Sequence, residues 1–132
     1  MGSGLMRTHL DGDLHAPAIA RTFVSDRLGA VVGTDWEALG DDIVLIVSEL
    51  VTNSVRAGAA SIDVQVYADG DQLEVRVTDD APGWPTARDA ATNALGGRGL
   101  AIIEQLVDSW TTNAHAGGKT VTATWLLHRD EE

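Results

Sequence analysis

Residues 61–78 read SIDVQVYADGDQLEVRVT, and this stretch decides the fold. Ile62, Val64 and Val66 alternate with Asp63, Gln65 and Tyr67, and Leu73, Val75 and Val77 alternate with Glu74, Arg76 and Thr78. Period-two alternation puts the apolar side chains of a strand on one face. Asp69-Gly70 between the two runs is a turn signal, so the stretch predicts an antiparallel hairpin. A sheet with one apolar face is covered on one side only, whereas a doubly wound parallel sheet shows continuous apolar runs.

The flanking sequence supplies the cover. Ile43, Ile46, Val47, Leu50, Val51, Ser54 and Val55 follow the helical i, i+3, i+4, i+7 pattern and predict a helix that stops near Gly58. Thr34-Asp35-Trp36-Glu37 before it matches a capping box. Residues 16–32 predict an earlier helix, with Ile19, Phe23, Val24 and Leu28 on its inner side. Residues 81–97 hold two of the three prolines and predict a mobile loop; residues 100–107 predict a short helix. Residues 110–114 and 120–127 predict two last strands around Gly117-Gly118, with Val121, Ala123, Trp125 and Leu127 on one face. The fold class is α+β: a two-layer α/β sandwich with helices on one face of a mostly antiparallel mixed sheet. Residues 1–13 read as an N-terminal segment, a first strand or in part an expression remnant. Residues 14–127 form the domain and 128–132 an acidic tail.

The bulk properties exclude several functions. With 132 residues there is room for one core. Twenty acidic against nine basic side chains give a net charge of −11, which argues against nucleic-acid binding, since that rests on cations meeting phosphates. A bound polyphosphate therefore needs a metal ion or backbone N–H groups. Cysteine is absent, which removes disulfides, thiolate metal sites and cysteine catalysis. The four histidines lack metal-ligand spacing. No apolar run approaches the roughly 20 residues of a membrane span. No membrane association and a cytoplasmic location are the default expectations.

Three short motifs carry chemistry. Glu49 and Asn53 stand one helical turn apart at the edge of the apolar stripe, flanked by Asp42 and Arg56. Asp79 closes the second strand of the hairpin and precedes Asp80-Ala81-Pro82-Gly83; a carboxylate there can accept a hydrogen bond from an amino group such as that of adenine. Gly96-Gly97-Arg98-Gly99 leads into a helix, where backbone N–H groups and the helix N-terminus favour phosphate. Each alone has an ordinary explanation: a solvated helix face, a turn, a hinge. Gly117-Gly118-Lys119-Thr120 imitates the end of a phosphate-binding P-loop but fails: Asn113 stands where its first glycine belongs, and a strand pattern follows.

In order along the chain, the three motifs resemble a known family. Residues 48–54, 77–83 and 97–100 are similar to the asparagine box and the two glycine boxes of the GHKL ATPases, which share the Bergerat ATP-binding fold of histidine kinases, DNA gyrase and a heat-shock chaperone. The short form is most similar to bacterial anti-sigma factor serine/threonine kinases. The resemblance implies that Asn53 coordinates Mg²⁺ and that Glu49 is the general base. It implies that Asp79 binds the adenine amino group with Gly83 against the base, and that Gly97, Arg98, Gly99 and Leu100 wrap the phosphates. Arg56 is counted with the nucleotide-binding residues, and Thr120 is expected to touch adenine through a water. Residues 84–96 match the lid, so Trp84 fluorescence is expected to report on Mg-ATP. Ala81 and Ala101 stand where glycines are usual in these boxes.

The implied function is an ATP- and Mg²⁺-binding regulator that phosphorylates a small antagonist protein and binds a sigma factor, with homodimerisation as a further expectation. The alternative is an ATP-responsive partner-binding module without kinase activity. A sensor histidine kinase fragment fits less well, because no phosphoacceptor helix pattern precedes residue 14.

Overall fold

The computed structural model describes residues 3–81 and 99–127. Strand β1 spans Ser3–Asp11, helix α1 Ala16–Val32, a 3-10 helix Thr34–Leu39, helix α2 Gly40–Arg56, β2 Ser61–Asp69 and β3 Gln72–Asp79. Helix α3 spans Gly99–Leu106, β4 Ser109–His115 and β5 Gly118–Leu126. The strands form one sheet in the order β1-β2-β3-β5-β4. Every pairing among the described residues is antiparallel. The N-terminal segment thus supplies an edge strand, Ser3–Asp11, paired along its length with β2.

The expected hairpin is β2 and β3. Asp69 pairs with Gln72, which leaves Gly70 and Asp71 as a two-residue loop. Gly70 has φ +64° and Asp71 does not have a positive φ, so the loop has the type II′ pattern that matches the twist of the strands. Ile62, Val64, Val66, Leu73, Val75 and Val77 are buried on one face. The helices lie on that face: α1 over β1 and β2, α2 over β2 and β3, and α3 beside α2 and β4. This is the predicted two-layer α+β architecture.

Two local expectations are corrected. The capping box does not form: residues 34–39 wind as a 3-10 turn that buries Trp36, and α2 begins at Gly40 without a side-chain cap. Asp41 and Asp42 in its first turn place negative charge at the positive helix end instead. In α1 the buried row is Ala16, Ala20, Val24 and Leu28, while Ile19 is 52% exposed. Small alanines let α1 approach α2, and the larger Ile19 turns outward. Phe23 is half-buried and carries the Arg27 guanidinium 4.3 Å above its ring. Trp125 lies fully in the core, whereas Trp110 is half-buried against it.

Candidate functional site

The site grows from the point where the apolar stripe of α2 turns polar. Ile43, Ile46, Val47, Leu50 and Val51 press on the sheet, and the next position on that row is Ser54. Its hydroxyl donates to Asp79 Oδ2 at 2.5 Å. Asp79 is the last residue of β3 and faces the helices, where its side chain is 1% exposed. Two more donors reach it: the Lys119 ammonium at 2.6 Å from Oδ2, and the Ala81 N–H at 3.0 Å from Oδ1.

The sheet register makes this cluster. Asp79 and Lys119 are cross-strand partners on β3 and β5. The strands come close there because Gly118, at φ +143°, has no Cβ; one would lie 1.8 Å from the Asp79 carbonyl oxygen. Lys119 then shares a face with Val121, Ala123 and Trp125, and its side chain is 8% exposed.

Beside Ser54, Asn53 is buried, and its Oδ1 has no hydrogen-bond partner. A buried acceptor left unpaired costs about 1–3 kcal/mol. Folding tolerates that cost here, and the oxygen keeps its lone pairs unused. One turn earlier Glu49 is half-buried, next to Ser48, whose hydroxyl accepts from Arg21 Nη1 at 3.0 Å.

Residues 13–125 match the family described as the histidine kinase-like ATPase domain. The chain belongs to this family. Among solved structures, the RsbU and RsbW domains of Rv1364c from Mycobacterium tuberculosis match at 25% identity with a TM-score of 0.68, over 93% of this chain and 32% of that one. The chain therefore spans about a third of that structure. Family membership makes this a histidine kinase-like ATPase domain, and ATP binding follows from that at the level of the family.

Within this ATPase domain, Glu49, Asn53 and Asp79 stand on the helix and strand end expected of them. Arg56 is exposed in the last turn of α2. Gly99 and Leu100 open α3. Gly83, Gly97, Arg98 and the expected lid with Trp84 lie outside the described residues. Ala81 is buried in the core, so its methyl is accommodated and its N–H still serves Asp79.

Thr120 lies on the other face of the sheet from Asp79. It pairs with Thr78, and the two hydroxyls lie 2.9 Å apart, with His115 Nε2 at 3.3 Å from Thr120 Oγ1. Alternation along β3 and β5 puts Thr78 and Thr120 on the face opposite Asp79, so the β5 side chain at Asp79 is Lys119. Sequence reasoning missed two residues here. Ser54 was counted only as a member of the helical stripe, and Lys119 only as a failed P-loop lysine. A signal existed for the second, because a lysine two residues before Val121 belongs to the apolar row of β5.

The neighbouring Asp80 has a structural task. Its Oδ1 accepts from the Ala60 and Ser61 N–H groups at 2.8 and 3.0 Å, tying the end of β3 to the start of β2. These backbone bonds, Ser61 first and then Ala60, hold its carboxyl below the usual value of 3.8. Among the described residues, no cluster of three metal-ligating side chains occurs and no helix is long and apolar enough to cross a membrane.

Proposed function

We propose that the chain is a Mg-ATP-dependent serine/threonine protein kinase of the switch type, which phosphorylates a small antagonist protein and binds a sigma factor or similar regulator. The observation that carries this reading is the buried, unpartnered Asn53 Oδ1 one turn from the half-buried Glu49. Mg²⁺ is a hard cation that takes oxygen ligands and commonly binds through one or two protein groups plus phosphates. A lone carboxamide oxygen fits that demand, and Asn53 would hold the ion. Once bound, the ion would neutralise phosphate charge that a chain of net charge −11 cannot.

The other residues then have tasks of their own. Asp79 accepts from the purine amino group and orients the base. Gly97, Arg98, Gly99 and Leu100 cradle the phosphates at the start of α3, and Arg56 and Gly83 line the nucleotide. Glu49 takes the proton from the acceptor serine or threonine hydroxyl as that oxygen takes the phosphoryl group and ADP leaves. A partner-switching role, a cytoplasmic location and a homodimer belong to this reading, which is in keeping with the RsbW domain of the similar solved structure.

Labelled ATP and candidate antagonist proteins test the proposal. Transfer to an antagonist serine or threonine is expected, at least roughly 100-fold slower in Glu49→Ala with nucleotide still bound. Asn53→Ala is expected to lose the magnesium dependence of ATP binding. A Glu49→Ala protein that transfers at the wild-type rate removes Glu49 as base. ATP binding without transfer to any partner leaves the binding-module alternative.

A further inference from the structure

Asp79 is already spoken for by the protein itself. A carboxylate offers about four acceptor positions. Ser54 and Lys119 take two on Oδ2, the Ala81 N–H takes one on Oδ1, and the side chain is 1% exposed. The position left on Oδ1 is closed off from solvent, so an incoming purine amino group must displace a group that covers the carboxylate. The Ala81 N–H is fixed by the backbone that follows β3, and the Ser54 hydroxyl stays beside α2 in any rotamer. The Lys119 ammonium sits on a long stem with four rotatable bonds, so it can swing clear of the carboxylate without moving main chain.

We propose that Lys119 is a tethered competitor of the purine amino group: its ammonium and that amino group compete for the Asp79 carboxylate, and withdrawal of Lys119 frees the carboxylate for the base. This rests on the reading of Asp79 as the base acceptor. The device has a physical logic. A carboxylate buried on the apolar side of a sheet is costly without a partner. Lys119 pairs with it and keeps it oriented until a second donor arrives, and the exchange sets how tightly nucleotide is held.

Titration calorimetry of the full chain with Mg-ATP and with the triphosphate of purine riboside, which lacks the amino group, tests this. Lys119→Met keeps the stem and removes the donor; it is expected to tighten ATP binding roughly tenfold, the scale of one charge-assisted hydrogen bond. It is expected to leave the amino-free analogue unchanged. Lys119→Arg, which can grip the carboxylate in two places, is expected to weaken ATP binding and keeps the test decisive if the methionine variant does not fold. Unchanged or weaker ATP binding by Lys119→Met, an equal gain for both ligands, or unchanged or tighter binding by Lys119→Arg overturns the competitor role while leaving the nucleotide site standing. Failure of wild type and both variants alike to bind ATP overturns the nucleotide reading itself.

Discussion

Asp79 shows how one residue serves two demands. As the hub of the Ser54, Lys119 and Ala81 contacts it holds α2, β3 and β5 together at one end of the sheet. Breaking a buried ion pair by removing one partner leaves an uncompensated charge, at a cost of about 3–5 kcal/mol. Asp79→Ala is therefore expected to lower the unfolding free energy by that amount in urea titrations, because Lys119 stays behind in the apolar row of β5. A loss under about 1 kcal/mol in Asp79→Ala would mean that Lys119 reaches water on its own. Ser54→Ala removes one neutral donor to a charged acceptor, and an intermediate loss of about 1.5–3 kcal/mol is expected.

At the scale of elements, the sheet and α2 share the work of placing the site. Leu50 is buried between α2 and the sheet, directly after Glu49 and one turn before Ser54. Leu50→Ala is expected to cost about 2–5 kcal/mol by transfer and cavity terms, read from the shift of the denaturation midpoint at constant slope. Gly118 is the corresponding control on the strand side. Its backbone at φ +143° and its approach to the Asp79 carbonyl leave no place for a methyl. Gly118→Ala is expected to destabilise by more than about 1 kcal/mol and to push β5 off β3 at the site end. Wild-type stability in Gly118→Ala would show that the strand approach is looser than this geometry. The 3-10 turn at residues 34–39 carries an element-scale lesson too. Thr34 and Glu37 have the residue types of a capping box, yet burial of Trp36 decides the local winding.

For the whole molecule, the acid limb of stability has an identifiable contributor. The Asp80 carboxyl is held low by the Ser61 and Ala60 N–H groups. A group whose folded pKa lies below its unfolded value stabilises fully above the unfolded value, and that contribution disappears as pH falls through the folded one. Below about its ordinary value of 3.8, the tie between β2 and β3 should therefore weaken. Asp80→Asn keeps an acceptor oxygen but does not titrate, so its melting temperature is expected to fall less steeply across the same acid range. Parallel acid limbs for the two proteins would assign the loss to other carboxylates.

The sequence by itself determined the layer architecture, because period-two alternation in residues 61–78 and the period-3.6 stripe in residues 43–55 are local consequences of strand and helix geometry. It also determined where Glu49, Asn53 and Asp79 lie along the chain, since one-turn spacing and a strand end are local features. Only the tertiary structure decided which β5 side chain meets Asp79. That choice depends on cross-strand register, where a slip of one residue exchanges the two faces and would put Thr120 in the place that Lys119 holds. The same holds for α1, whose buried row is set by how closely a neighbouring helix can approach. Register and approach distance are long-range quantities, fixed by what packs against what.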